Sequence, residues 1–343
     1  MTINEIKTML KTPEYSFLSE NEHLGSKIIL LGLGGSHAYG TATQDSDLDV
    51  RGIALNSKSD ILGLNQGFEQ FIDSPTDTTI YSFNKMMKLL IGCNPNTIEI
   101  LGLKPEHYLY LSEIGRELLN NKHLFLSQRA AFTFGAYASS QLRRLDNKAV
   151  RLVSQTEKEQ HILNGIENAS YSFKDQFFSY DEDAIKLYID KSEREEYDTE
   201  IFMDVNLKHY PLRDYKGMWS TMNTIVKEYS KIGQRNANAI THGKLSKHMM
   251  HLVRLYLMCL DILNNGEIIT YREKDHDFLM DIRNGKYLDD NRQPTPEFFD
   301  IVNDLEAKLD AAKKTTDLPD NPDYKKINEF VASVNERIVK GEI

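Results

Sequence analysis

GSHAYGTATQDSDLD, running from Gly35 to Asp49, is the stretch on which the reading of this chain turns. An apolar run bounded by glycine, KIILLGL (Lys27 to Leu33), leads into it and predicts a buried strand. A Gly-Ser turn follows, and about ten residues after Ser36 stand Asp47 and Asp49, separated by one leucine. LDVRGIA (Leu48 to Ala54) predicts a second strand. Side chains two apart on a strand point the same way, roughly 6.6–6.8 Å from each other. The spacing therefore predicts Asp47 and Asp49 on one face, with Leu48 and Val50 turned to the core. Two carboxylates aimed together make an oxygen site of the kind that holds Mg²⁺ alongside substrate phosphates. The small residues upstream let the backbone come close to a phosphate. A phosphate-approaching turn followed by a metal-binding strand points to phosphoryl or nucleotidyl transfer.

Outward from this stretch, the first hundred residues predict a small α/β unit. Phe68 to Ile72 and Thr78 to Tyr81 are expected as strands, separated by the turn-forming Asp73-Ser74-Pro75-Thr76. Ser82 is an N-cap candidate for FNKMMKLLIG, with Gly92 near its end, and Asn94-Pro95 opens another short helix. From about residue 106 the apolar spacing becomes helical, over Leu118 to Leu145, Glu157 to Ala169, Tyr215 to Ile232 and Lys244 to Leu263. The last of these places Leu252, Leu255, Tyr256 and Cys259 on one stripe. Residues 176 to 215 are expected as helix and loop, and Lys313 to Tyr324 as a loop before a final helix. The fold expected is α/β (α+β): a small mixed sheet in residues 1–105, then a mostly helical domain in 106–343.

Composition narrows the function class. The 343 residues suggest about two domains. Charged residues at 27% and hydrophobic ones at 40% are ordinary for a soluble chain. No apolar run reaches the roughly 18–20 residues of a membrane helix, so no membrane partner is expected. MTINEIKTMLK lacks the pattern of a signal peptide. Cys93 and Cys259 have no metal-ligand or redox spacing and fit a reducing cytoplasm, the expected location. A net charge of −10 argues against nonspecific binding to duplex DNA, which depends on neutralising phosphates with Lys and Arg.

The Gly-Ser turn, the gap and the Asp-x-Asp together resemble the signature of the DNA polymerase beta-like nucleotidyltransferase superfamily. GSHAYGTATQDSDLDVRGI, IYSFNKMMKLLIGCNPNTIEIL, KHMMHLVRLYLMCLDILNNGEI and IRNGKY are similar to an uncharacterised bacterial and phage branch of predicted nucleotidyltransferases. The resemblance spans most of the chain, although only the first block carries a motif of known chemistry. It implies a third carboxylate on a neighbouring strand. Asp77 is the choice, at the start of TTIYSF, with Asp73 and Glu69 as rivals whose register is unreadable from sequence. It also implies that Asp47, Asp49 and Asp77 hold Mg²⁺, or Mn²⁺ in its place, and that Gly35 and Ser36 cradle the phosphates of a nucleoside triphosphate. The acceptor would attack the α-phosphorus and pyrophosphate would leave.

Other residues carry two readings each. Ser36 caps a short helix or meets phosphate, and a helix N-terminus suits both. His37 touches a phosphate or base, or is structural. Arg51, on the face of the two aspartates, offsets their repulsion or reaches a phosphate. Lys88 reaches triphosphate or is a surface lysine. Lys247, Arg254 and Arg283 line the cleft by resemblance, or belong to a polar helix face. Gln141, Arg143 and Arg144 carry the same pair of readings, and Trp219 is expected in the core. The acceptor expected is RNA (tRNA included), a protein or a small molecule. The rival function class is a nucleotide-binding module without turnover, or a toxin–antitoxin or defence component.

Overall fold

Ile28–Leu33 forms strand β1, and all six of its residues are buried. A continuous apolar run is what a strand covered on both faces requires. β1 pairs antiparallel with β2 (Val50–Ala54), in the register Leu31↔Gly52 and Leu33↔Val50. β2 pairs parallel with β4 (Thr78–Ser82), which pairs antiparallel with β3 (Gln70–Asp73). β5 (Tyr108–Leu111) pairs antiparallel with the other edge of β1. The result is a five-stranded mixed sheet in the order β3-β4-β2-β1-β5. These relations come from a computed structural model, which describes residues 1–64, 67–135, 138, 185–191, 199–217, 219–220, 223, 244–290 and 292–343.

Helix starts follow local chemistry. The Ser82 hydroxyl accepts from Lys85 N–H and caps Phe83–Ile91, and Asn94 caps the turn that begins at Pro95. Phe83, Met86, Met87 and Leu90 face inward from the first of these helices.

Contacts divide the chain into two units. The first comprises Met1–Ser140, Met249–Leu288 and Thr295–Ile343. Chain-distant helices therefore share a core with the sheet. In the long helix Lys244–Asn265, Leu252, Leu255, Tyr256 and Cys259 are all buried, as the stripe predicts. The Tyr256 hydroxyl donates to Glu306 at 2.6 Å on helix Pro296–Thr315. Arg337, on the final helix Tyr324–Lys340, holds Glu117 through two hydrogen bonds of 3.0 and 2.7 Å.

The second unit comprises Gln141–His248 and Asp289–Pro294. Its described part corrects the expectation of helix and loop over residues 176 to 215. β6 (Ile185–Lys191) and β7 (Thr199–Val205) form an antiparallel pair. The register sets Ile185, Leu187 and Ile189 opposite Val205, Met203 and Ile201. That period-two alternation is a strand pattern. The helix expected over 157 to 169 lies outside the described residues, as do Gln141, Arg143 and Arg144. Trp219 is 52% exposed, not in the core.

Candidate active site

The edge of the site is built from backbone. β2 begins at Val50, so Asp47 and Asp49 lie in the segment that enters the strand rather than within it. The alternation still holds: Leu48 and Val50 are buried, Asp49 is half-buried and Asp47 is exposed. Two hydrogen bonds extend the sheet past the strand ends. Gly34 N–H donates to Asp49 O at 2.8 Å, and Val50 N–H donates to Asp77 O at 3.3 Å. Asp49 is thereby fixed between the turn after β1 and the residue before β4.

The turn after β1 fits around Asp49. Gly35 opens a short helix, Gly35–Tyr39, with φ +53, the left-handed region that favours glycine. A Cβ on Gly35 would fall 1.9 Å from Asp49 Oδ2, so no larger residue fits there without moving the carboxylate. Ser36 is buried on this helix, and the helix ends at Gly40 with φ +79. The ring of Tyr271 packs where a Gly40 side chain would stand. His37 is half-buried, and its Nε2 finds no hydrogen-bond partner among the described residues.

Arg51 ties the carboxylates together. Its Nη2 donates to Asp49 Oδ1 at 3.0 Å and lies 3.9 Å from Asp77 Oδ1. Its Nη1 donates to Asp77 O at 2.6 Å and to Val50 O at 3.0 Å. The Asp49 and Asp77 oxygens are thus no farther apart than those two Nη2 distances allow. Asp77 itself precedes β4 with φ +48, and its side chain is exposed. The parallel register Val50↔Thr78 carries the pairing one step back to Asp49 and Asp77. The rival carboxylates are engaged elsewhere. Glu69 pairs with Lys85 at 3.0 Å, at the far end of β4. Asp73 accepts from Thr76 N and Thr76 Oγ1 at 3.1 and 2.7 Å, closing its own turn. Among the described residues, no three His, Cys, Asp or Glu side chains stand together as a ready metal site.

Behind Tyr39 lies a buried cluster. Tyr39 donates to both carboxylate oxygens of Glu99, at 3.0 and 3.1 Å. Arg254, fully buried, donates to Glu99 Oε2 at 3.2 Å and lies 3.6 Å over the Tyr39 ring. Its Nη2 is 3.3 Å from His251 Nδ1, which accepts, since a guanidinium only donates. The Thr270 hydroxyl donates to Glu99 O at 2.6 Å. Burial pushes the Glu99 carboxyl above its ordinary range, against the pull of Arg254, the Tyr39 hydrogen bond and the Arg51 charge. Tyr39 and Glu99 were not singled out in the sequence. A lone acid in the apolar run TIEILGL reads as the exposed face of a helix.

Three further candidates remain. Arg283 reaches the turn before Asp47, with Nη2 3.2 Å from Ser46 Oγ and 3.4 Å from Thr43 Oγ1. Lys88 is exposed and, with Asn84 of its own helix and Tyr324 and Asn335 of the final helix, among others, lines a groove of about 640 Å³; none of the three aspartates lines it. Lys247 is exposed and falls in the second unit.

Residues 11–164 match the model of a family described as the RNA repair pathway DNA polymerase beta family. Over this region the chain is similar to the DNA polymerase beta family that the model describes. The match takes in the Gly-Ser turn, all three aspartates and Arg51, and covers a little under half of the chain. An uncharacterized 38.9 kDa protein from the nrdC-mobD intergenic region of Enterobacteria phage T4 is 23% identical over 313 residues, covering 82% of this chain and 89% of the phage protein. No solved structure gives a significant match. The superfamily points to nucleotidyltransferase chemistry and a nucleotide substrate in general. Among the described residues, no helix is long and apolar enough to cross a membrane.

Proposed function

We propose that this protein moves a nucleoside monophosphate from a nucleoside triphosphate to a hydroxyl acceptor, with release of pyrophosphate. The observation that carries the reading is the convergence of Gly35, Asp49, Arg51 and Asp77 at one end of β2 and β4. The family's description, an RNA repair pathway, makes an RNA end the first acceptor to test.

The donor set suits a hard divalent cation. Asp47, Asp49 and Asp77 offer only oxygen ligands, and a guanidinium already sits between Asp49 and Asp77, where positive charge is favoured. Mg²⁺, or Mn²⁺, bound by these three would neutralise charge on the triphosphate and lower the pKa of the attacking hydroxyl. The chain's own residues do the positioning. Gly35 and Ser36 bring backbone N–H groups and a hydroxyl to the triphosphate tail. Arg51 offsets the repulsion between the carboxylates and stands within reach of a phosphate oxygen. Asp77, its side chain more exposed than that of Asp49, would either help to hold the metal or accept the proton of the acceptor hydroxyl. Most of the rate gain would come from alignment and charge neutralisation.

The trial is incubation with Mg²⁺ or Mn²⁺ and labelled nucleoside triphosphates, alone and with RNA, protein and small-molecule pools. Labelled acceptor is the expected outcome. Absence of both transfer and metal-dependent nucleotide binding across the panel would end the enzyme reading. The Asp49–Arg51 pair favours one alternative, a nucleotide-binding module without turnover, which would bind triphosphate tightly yet leave every acceptor unlabelled.

A further inference from the structure

Burying a guanidinium is costly unless its charge is met, and arginines of the first unit show how that is done. Arg51 holds Asp49, Arg254 holds Glu99, Arg272 holds Asp261 and Asp275, and Arg337 holds Glu117. Arg283, the last residue of helix His276–Arg283, differs. It is half-buried, and among the described residues no carboxylate lies within ion-pair distance of it. Its Nη2 rests on two neutral hydroxyls, Ser46 Oγ at 3.2 Å and Thr43 Oγ1 at 3.4 Å. Its Nη1 is buried with no hydrogen-bond partner among the described residues. Burial alone depresses its pKa, with no carboxylate charge offsetting the loss of solvent. The arginine is thus held in place with its charge unanswered.

The hydroxyls that hold it are themselves ordered. Thr43 N–H donates to Ser46 Oγ at 2.8 Å, the two hydroxyls are 3.2 Å apart, and Ser46 N–H donates to Thr43 O at 3.1 Å. Thr43 is on the surface, and Ser46 directly precedes Asp47. A charged acceptor arriving here would replace long contacts to neutral oxygens with charge-assisted bonds of roughly 2.7–2.9 Å. Arginine's planar fork suits phosphate, and Ser and Thr hydroxyls also donate to phosphate oxygens.

We propose that Arg283, with the hydroxyls of Thr43 and Ser46, forms a phosphate-binding site on the flank of Asp47. The assignment of a phosphate rests on the nucleotidyl-transfer reading. The phosphate comes from one of two sources: the triphosphate tail of the nucleotide, or a phosphodiester of the acceptor strand.

The test measures equilibrium binding of two probes, inorganic triphosphate and a short single-stranded RNA, to the full chain and to R283Q, R283K and the double variant T43V/S46A. Melting curves monitor folding. Replacing the guanidinium by a neutral amide is expected to weaken one probe by about 10–100-fold. R283K should retain part of that affinity, because it keeps the charge without the fork. T43V/S46A should lose about 2–10-fold while leaving Arg283 in place. Loss of triphosphate binding alone assigns the site to the nucleotide, and loss of RNA binding alone assigns it to the acceptor. Equal affinity of wild type and R283Q for both probes overturns the proposal, as does a wild-type chain that binds neither. If R283K folds and binds no better than R283Q, charge is not what the site supplies, and the proposal fails on that ground too. Binding through Arg283 without transfer to any acceptor would overturn the transfer reading and leave this site standing.

Discussion

Arg254→Met tests the buried cluster that backs the Gly35–Tyr39 helix. In the wild type, Arg254 neutralises Glu99 and lies over the Tyr39 ring. The variant leaves the Glu99 carboxylate in the interior with the Tyr39 hydroxyl as its remaining side-chain hydrogen bond. Breaking a buried pair from one side costs about 3–5 kcal/mol. For a unit of this size each kcal/mol moves the melting temperature by about 2–4 °C, so the drop should be roughly 6–20 °C. The pH dependence gives a second, sharper sign. Burial raises the folded-state pKa of Glu99, so its contribution is fully present below the unfolded pKa and is lost as pH rises through the folded value. Arg254 is the largest force opposing that rise, so its removal lifts the folded pKa further. The deficit of R254M should therefore be largest near neutral and alkaline pH and shrink as acid neutralises Glu99. E99Q in the R254M background should recover much of the loss, because it removes the stranded charge. The assay is thermal unfolding of the four proteins of the cycle across a pH series. A variant that melts within about 2 °C of wild type at every pH, or a double variant no more stable than R254M, would refute the argument.

Two further outcomes follow from the site. Gly35→Ala should lower stability by about 1–2 kcal/mol from its left-handed backbone alone, and should cut nucleotide transfer more than tenfold because the new methyl displaces the Asp49 carboxylate; unfolding and kcat measured together check both. Arg51→Gln removes a cation 3.0 Å from Asp49, so Mn²⁺ without nucleotide should bind about 3–10-fold more tightly, as titration calorimetry would read.

The parts of the fold written in local pattern were legible in the sequence. KIILLGL, VRGIA and TTIYS are apolar or alternating runs with turn residues between them, and each forms a strand of the central sheet. Ser82 and Asn94 announce their helices because capping is a property of a few adjacent residues. What depends on distant partners was hidden. β5 is the four-residue YLYL, too short to show a period, and it exists by pairing with β1. β6 and β7 do alternate, but charged and aromatic neighbours masked the pattern as helix and loop. Arg254 reads from sequence as a cleft residue or part of a polar helix face, and its burial follows instead from Glu99, 155 residues earlier in the chain. The adjacency of Asp77 and Asp49 likewise needed the parallel pairing of β2 with β4, which sequence alone leaves open.

The central claim is that Asp47 and Asp49 serve transfer of a nucleoside monophosphate, and the position of the label in the substrate tests it directly. Two preparations of one nucleoside triphosphate, labelled at the α- or the γ-phosphorus, would be incubated with Mg²⁺, RNA and either the wild-type chain or D47N and D49N variants of unchanged melting temperature. The account predicts α-label on the RNA, γ-label in pyrophosphate, and a loss of about 10²–10⁴-fold in both variants. Label reaching the RNA from the γ-position, or undiminished transfer by the two variants, would contradict it.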